Sequence, residues 1–498
     1  MIDFSALLEG SLCLLSWNIF AAIVAGVFLG VVFGAIPGFT SSMGVAILIP
    51  ITYVMPPLPA MVLLCSTYAG SVYGGSITAI LINAPGTPAS AATTFDGFPM
   101  TLQGKANEAL GLAIIASVIG GAISYFLMLT LMYPIARFAL AFGSPEMFML
   151  AIFGLTIIGS VRKESFSKCF LAGLFGLLLS TVGISPTGSI RAYFGVVSLL
   201  GGMPIVPAII GLLAFSELID MATKEYITDT LKLAKGKYKL KELIKGMVNV
   251  FKYPKTLIRA SLIGTFIGAV PAAGGDIASL VAYNQEKQSS KDPSVFGQGA
   301  SIGVIAAEAA NNASTGGSLI TMISLGIPGS GTTAIMLGAL MLHGMRPGPG
   351  LFMEQMPLVY GIIISLFLSQ LVLIIAGVSY SYTISEILRI PAKALAPTIA
   401  FLCIVGSFSI YYNLIDAQIM FAFGIVGYLM KKYGYPVVAC VLGVILGPIA
   451  DSELIRTYIR YRGDFTVFLT RPISLGLIII SLLSLVMPLI LRRMRKNK

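Results

Sequence analysis

From Ser11 to Phe95 the chain contains no Asp, Glu, Lys, Arg or His. A charge-free run of that length exceeds the roughly 20 apolar residues needed to cross a bilayer, so it must fold into several spans. The rest of the chain follows suit. Of its 498 residues 56% are hydrophobic and 11% charged, with a mean hydropathy of +0.92, whereas a soluble protein carries about a quarter charged residues. The fold class expected is an all-α polytopic membrane protein with about 11–14 membrane segments.

Within this run lies "CSTYAGSVYGGSITAILINAPGTPASAATTFDGFP" (Cys65–Pro99). It is too apolar for a solvated loop and too broken by Gly and Pro for an ordinary helix. Unpaired backbone groups at membrane depth cost several kcal/mol each unless they face protein, water or a ligand. A broken stretch there therefore marks a packed interior or a binding site.

The net charge of +11 is concentrated. Lys224–Arg259 holds ten Lys/Arg against three acids, and "RRMRKNK" (Arg492–Lys498) holds five more basic residues. Basic residues bunched beside apolar spans are a positive-inside signal, which places both segments in the cytoplasm. No Lys or Arg precedes Lys105, so the N-terminus is expected outside. Contact with anionic lipid headgroups follows, and no nucleic-acid partner is needed. "MIDFSALLEGSLCLL" lacks a basic n-region, so the first segment is expected to stay as a span. The chain divides into a first transmembrane half (1–220), a basic cytoplasmic linker (221–259), a second transmembrane half (260–491) and a basic cytoplasmic tail (492–498). Five single cysteines show no metal-ligand spacing.

The two halves repeat each other. "GAIPGFTSS" (Gly34–Ser42) matches "GAVPAAGGD" (Gly268–Asp276). "YAGSVYGGSITAILINAPGTPAS" (Tyr68–Ser90) matches "AANNASTGGSLITMISLGIPGSGTT" (Ala309–Thr333), with Gly-Gly-Ser at Gly74–Ser76 and Gly316–Ser318. "DGFP" (Asp96–Pro99) and "HGMRP" (His343–Pro347) close the two blocks, which puts His343 opposite Asp96. Internal duplication with interrupted helices is the organisation of secondary transporters, here expected as an inverted repeat.

Pro37, Pro85, Pro271 and Pro328 each remove a helical donor and force a break. The reading is two re-entrant hairpins and two interrupted spans that meet at the membrane midplane. Helix N-termini exposed there favour anions, and carbonyl ends suit cations. The substrate-binding candidates follow the motifs. In the first half they are Pro37, Gly38, Thr40, Ser41 and Ser42, then Gly74, Gly75, Ser76, Thr78 and Asn83, then Pro85, Gly86 and Thr87. In the second they are Asn311, Asn312 and Thr315, then Gly316, Gly317 and Ser318, then Pro328, Gly329, Ser330, Thr332 and Thr333.

Glu308 is the only charged residue between Asp292 and His343. An ionisable group in a membrane segment is a functional candidate by default. Its expected role is cation ligand or proton acceptor, with a surface cap as the alternative. Asp276, just after the second Gly-Pro break, is a cation ligand or a helix cap; Asn312 is a third cation-coupling candidate. Lys105 and Arg346 follow the blocks, as anion attractors or solvated interface charges. Neither block, Gly34–Ser90 nor Ala309–Thr333, contains Arg, so an anion there would depend on helix ends, hydroxyls, amides and co-bound cations. Each ligand then favours the other by the same factor.

No P-loop is present: "QGKA" lacks the required spacing and Ser/Thr. An enzyme is not expected. "AAGGD" lacks the Gly-x-Gly-Asp spacing of membrane aspartyl proteases and a partner Asp, and one histidine cannot build a zinc-protease ligand set. The expected function is secondary active transport, with a passive anion channel as the alternative. No cofactor or tightly bound metal is expected, only a transported Na⁺ or H⁺.

At these motifs the chain resembles the large membrane subunit of the tripartite tricarboxylate transporters, the TctA family. The resemblance rests on "GAIPGFTSS", "YGGSITAILINAPGTPASAATTFDGFPMTLQGKA", "GAVPAAGGDIASLVAYN" and "FGQGASIGVIAAEAANNASTGGSLITMISLGIPGSGTTAIMLGALMLHGMRPGP". One departure is Ala272, where the family usually has Gly. The resemblance implies a permease of a bacterial inner-membrane importer, moving citrate or another carboxylate on a Na⁺ or H⁺ gradient. It implies two partners, a small four-span membrane subunit and a periplasmic solute-binding protein, and leaves oligomerisation open. An elevator-like motion fits the hairpin pattern.

Overall fold

Glycines set the packing of the charge-free run. In the computed structural model, which describes residues 3–161, 166–223, 239–387 and 392–483, a short α1 (Phe4–Cys13) precedes α2 (Trp17–Ala35), α3 (Ser41–Tyr53) and α4 (Pro57–Ile82). A Cβ on Gly26, Gly30 or Gly34 of α2 would strike the carbonyl oxygens of Leu63, Thr67 and Ser71 in turn, at 2.7, 2.4 and 2.0 Å. The matched order makes α2 and α4 parallel. Small residues allow this backbone approach, and in lipid such packing is what associates helices. Both helices therefore begin at the same level, and α3 reaches α4 across a short turn. So α3 returns to the side that α2 entered: a re-entrant hairpin, turning at Pro37.

The next break has a different form. α4 ends at Asn83 in the left-handed conformation (φ 56°). The chain then climbs back along α4, and the Gly86 amide donates to the Gly75 carbonyl at 3.1 Å. From there α5 (Ala91–Leu102) leads outward and α6 (Ala106–Ala139) returns across the bundle. Next come α7 (Ser144–Val161), α8 (Phe166–Ser180) and a small antiparallel ribbon, β1 (Gly183–Ile184) with β2 (Ile190–Arg191). The half ends in α9 (Ile205–Ile209), a π-helical turn (Ile210–Phe215) and α10 (Ser216–Thr223).

The second half contains α11 (Leu240–Asn249), α12 (Pro254–Ala269), α13 (Gly274–Ser289), α14 (Ser301–Leu325), α15 (Gly331–Leu342), α16 (Pro349–Glu354) and α17 (Met356–Ile387). It closes with α18 (Ala392–Tyr411), α19 (Leu414–Lys432), α20 (Val437–Arg460) and α21 (Val467–Thr470). Here α12 and α13 form the second hairpin, and α14 and α15 the second interrupted span. Gly264 and Gly268 of α12 meet the carbonyls of Ala310 and Ser314, each at 2.3 Å, as Gly30 and Gly34 meet Thr67 and Ser71. Backbone details recur too. Ala84 N donates to Thr78 O (3.4 Å) and Ile327 N to Thr321 O (3.3 Å); Gly38 (φ 85°) pairs with Ala272 (φ 59°), and Asn83 with Gly326 (φ 72°). The repeat is inverted. α14 runs parallel to α6, with Ser117 against Glu308 and Tyr125 against Thr315 marking matched levels, and α6 is the return leg after α4.

Six described helices are long and apolar enough to cross a membrane: Trp17–Ala35, Pro57–Ile82, Ala106–Ala139, Met356–Thr383, Leu414–Lys432 and Val437–Arg460. The apolar span of α4 is wholly buried inside the bundle. This is how a Gly/Ser/Thr-rich segment sits at membrane depth: its neighbours are other helices, not lipid. Shorter apolar helices such as Ser41–Tyr53 and Gly331–Leu342 are the half-length products of the breaks.

Two sequence expectations shift. The Gly-Gly-Ser matches are out of step by one residue. Gly74 and Gly317 are equivalent, since their Cβ atoms would strike Val31 O (2.3 Å) and Thr265 O (2.0 Å), each three residues before the motif glycine Gly34 or Gly268. Gly75 therefore answers to Ser318, because Gly86 packs on Gly75 Cα and Gly329 on Ser318 Cα. Asp96 and His343 are not counterparts either: Asp96 is inside α5, and His343 is the C-cap of α15. Within residues 221–259, α11 docks on α6 through Gly111 and Gly246, and Lys245 pairs with Glu108 at 3.2 Å. Residues 224–238 and the tail 492–498 lie outside the described residues.

Candidate functional site

The four breaks meet around one cavity of about 330 Å³. Its lining includes Thr40–Ser42 at the start of α3, Thr87–Ala89 before α5, Ala272–Asp276 at the start of α13, and Ser330–Thr332 at the start of α15. They are knitted crosswise between the repeats. Ser42 Oγ lies 3.1 Å from Thr332 Oγ1, Tyr68 OH 3.2 Å from Ser330 Oγ, and Ser279 Oγ donates to Ala89 O at 2.7 Å. Gly274 N donates to Gly329 O at 3.2 Å, joining the two breaks of the second half.

Local sequence explains each helix start. Thr40 Oγ1 accepts from Met43 N, capping α3, and Ser330 with Thr333 forms a reciprocal capping box on α15. Pro37 and Pro328 are placed where a helix cannot continue. Each helix start carries a partial positive charge. Together they give the cavity an anion-favouring character without an arginine.

The candidates have different places in the structure. Thr40, Ser41, Ser42, Thr87, Asp276, Ser330 and Thr332 line the cavity. Gly74, Gly75, Gly86, Gly316, Gly317 and Gly329 instead lie where a Cβ would meet backbone or side-chain atoms of neighbouring segments within 3.0 Å; they allow the packing that brings the breaks together. Pro37, Gly38, Pro85 and Pro328 shape the turns. Thr78 bonds within α4, Ser318 Oγ donates to Gly268 O, and Thr315 pairs with Tyr125. Asn83 caps α4 on an exposed turn, and Ser76 is buried within α4.

Behind the lining sits a second layer that is polar and unsatisfied. Asn311 and Asn312 of α14 are fully buried, and neither end of either amide has a hydrogen-bond partner among the described residues. Asn311 Oδ1 lies 2.7 Å from where a Cβ on Gly275 would stand, directly under the start of α13. Buried amides are nearly always bonded, so these two have hydrogen-bonding and ligating capacity that no neighbouring side chain uses. Amide oxygens suit a cation such as Na⁺.

Glu308 is fully buried between α14, α5 and α6, accepting from Thr93 Oγ1 and from Ser117 Oγ at 3.0 Å. The surface-cap alternative is thereby overturned. It does not line the cavity. Asp276 stands in the first turn of α13, whose N-cap is Ala273 without a side-chain bond, so Asp276 is not that helix's cap residue. Lys105 and Arg346 are exposed and away from the cavity lining. Among the described residues, no three His, Cys, Asp or Glu side chains cluster as metal ligands.

Sequence reasoning missed three polar residues here. Lys431 and Glu217 line the cavity, 2.7 Å apart; "MKK" at the end of an apolar helix reads as an interface charge, and nothing local links it to α10. Asp96 is fully buried, accepting from the amides of Gly297, Gly299 and Ala300 at 2.8–2.9 Å and from Tyr283 OH at 2.9 Å. It clamps α5 of one repeat to the entry of α14 in the other.

The family model described as "Tripartite tricarboxylate transporter TctA family" matches residues 20–442. The chain belongs to the TctA family. That span takes in all four breaks and the Lys431–Glu217 pair of this TctA-family chain. An uncharacterised 52.8 kDa protein in the TAR-I ttuC' 3' region of Agrobacterium vitis is 34% identical over 466 residues, 93% of this chain and 92% of that one. An uncharacterised protein in the TAR-II ttuC' 3' region of the same organism is 36% identical over 227 residues, 46% of this chain and 94% of its own length. No solved structure matches. The protein is thus a multi-pass membrane component of the transporter type that its family describes.

Proposed function

We propose that this chain is the secondary active permease of a tripartite importer that moves a small carboxylate, citrate or another tricarboxylate, on a Na⁺ or H⁺ gradient. The observation that carries the reading is the meeting of four helix starts around one cavity, backed by unbonded buried amides. A volume of about 330 Å³ lies at the small end of ligand sites, a size suited to a compact polyanion. The helix starts and their hydroxyls offer donors to carboxylate oxygens. Asp276 at the cavity and the buried amides of Asn311 and Asn312 are the oxygens offered to a cation, and Glu308 offers a carboxyl for a coupling proton or cation. A cation bound there completes the anion site, so each ligand raises the affinity of the other.

The reading places the chain in a bacterial inner membrane, with the basic segments at 224–259 and 492–498 cytoplasmic and the N-terminus outside. A small four-span subunit and a periplasmic solute-binding protein would complete the system. The two inverted repeats suit an elevator-like movement of the break-bearing helices. Uptake of labelled citrate into vesicles bearing the three-part system, with Na⁺ and pH gradients set separately, tests the proposal. Uptake should saturate, follow one gradient and ignore ATP depletion at fixed gradients. Gradient-independent, non-saturable flux would contradict it and indicate a channel.

A further inference from the structure

Charged side chains are scarce at the cavity. Among its described lining residues, Asp276 and Glu217 are acidic and Lys431 is basic. Four helix starts give partial charges of about half a unit each, and Asp276 opposes them. A di- or tricarboxylate carries more charge than these partial charges and one coupled cation offset, and Lys431 is the lining side chain that brings a full positive charge.

One of its partners is a carboxylate. Lys431 Nζ lies 2.7 Å from Glu217 Oε1, with the two side chains 25% and 27% exposed. Both are held by backbone-close packing. α19 lies against the π-helical turn ahead of α10, where a Cβ on Gly211 would strike Met420 O at 2.3 Å and one on Gly427 would strike Leu212 O at 2.6 Å. π-helical turns recur at functional sites. After Lys432 the chain turns through Gly434 (φ 71°), and Gly434–Val438 form more of the cavity wall. Lys431 is therefore held in the wall that the four breaks share, its ammonium nitrogen buried beside Glu217.

We infer that Lys431 is the residue that recognises the substrate's carboxylate, and that Glu217 pairs with it in the absence of substrate and yields it when substrate enters. This deepens the carrier reading above and rests on it. The exchange is physically economical. One carboxylate replaces another on the same ammonium, and Glu217, already partly exposed, is rehydrated on release. A part-buried ion pair of this kind has a net stability near balance, because desolvation offsets attraction. A full-strength substrate carboxylate backed by four helix starts therefore outcompetes it. An uncharged analogue would have to break the pair with nothing to replace Glu217, so the device also selects against neutral solutes.

The alternative role for the pair is a structural tie between α10 and α19, and the test separates the two. The full chain, purified in nanodiscs with Na⁺ present, is titrated calorimetrically with citrate and with its neutral trimethyl ester, for wild type, Lys431→Gln, Glu217→Gln and the swap Glu217→Lys/Lys431→Glu. Recognition predicts that Lys431→Gln weakens citrate about tenfold or more, the scale of losing one partner from a desolvated charge contact. Glu217→Gln should bind citrate more tightly than wild type, because the internal competitor is gone. The swap should remain folded, as judged by gel filtration, yet fail to bind. A structural tie predicts equal losses in the two single variants and recovery in the swap, and that outcome overturns the inference. So does wild-type affinity in Lys431→Gln; in that case citrate binding by wild type leaves the carrier reading standing. If wild type itself binds no citrate, succinate or malate and moves none in vesicles, the carrier reading and this inference fall together.

Discussion

The two inverted repeats share a backbone and differ in chemistry. The turns, the left-handed positions and the glycine contacts coincide nearly residue for residue. Yet where the first repeat has Ser42, Cys65, Tyr68 and Ala69, the second has Asp276, Glu308, Asn311 and Asn312. At these four positions the carboxylates and unbonded amides fall in one repeat, and a hydroxyl, a thiol, a phenol and a methyl in the other. The shared backbone supplies the frame of four helix starts, and the acids and unbonded amides at these positions belong to one copy. A carrier that couples an anion to a cation needs that asymmetry, since two identical halves would offer the same site twice.

The largest effect expected from breaking this comparison lies in what the repeats share. Gly74→Val and Gly317→Val each drive a side chain into a carbonyl 2.0–2.3 Å away, at the upper end of overpacking costs, about 3 kcal/mol or more. Both should lose monodisperse protein by gel filtration, and to a similar degree. A clear difference would mean that the matched packing does not carry equal weight in the two halves.

Next come the unshared positions. Asn311→Ala and Asn312→Ala should raise the cation concentration for half-maximal uptake about tenfold, whereas Tyr68→Phe, the first-repeat counterpart of Asn311, should change it little. Equal shifts would place cation binding in both repeats. Glu308→Gln keeps the shape and the contacts to Thr93 and Ser117 while removing the charge. It should weaken the dependence of uptake on its driving gradient, while Cys65→Ser, the counterpart, should alter it less than about twofold.

The smallest effect concerns backbone strain. Ala272 has a left-handed φ of 59° where its counterpart is Gly38, a conformation costing a non-glycine residue about 1 kcal/mol. Ala272→Gly should raise the thermal unfolding temperature slightly, and Gly38→Ala should lower it.

How much of this was legible follows from which features are local. Proline breaks, charge-free runs and a duplicated Gly-Pro order are local, and they led to the hairpins, the interrupted spans and the convergence of Thr40–Ser42 with Ser330–Thr332. The one-residue slip between Gly-Gly-Ser motifs was hidden because "GGS" is a string, while the packing is set by which glycine faces α2 or α12. Asp96 read as a boundary acid because its partners, Gly297 to Ala300, lie in the other half of the chain. Glu308 was visible as a lone acid, but its burial needed the donors Thr93 and Ser117 from two other helices. Lys431 and Glu217 were invisible as a pair, being some two hundred residues apart on helices with ordinary sequences. Contacts between distant segments are what a linear pattern lacks.

The account turns on the cavity between the four breaks being where solute is held. A structure determined with citrate and Na⁺ tests this most directly. The account predicts density bounded by Thr40–Ser42, Thr87–Ala89, Ala273–Asp276 and Ser330–Thr332, with a carboxylate against Lys431. Citrate resolved elsewhere in the protein, with this cavity empty, would contradict it.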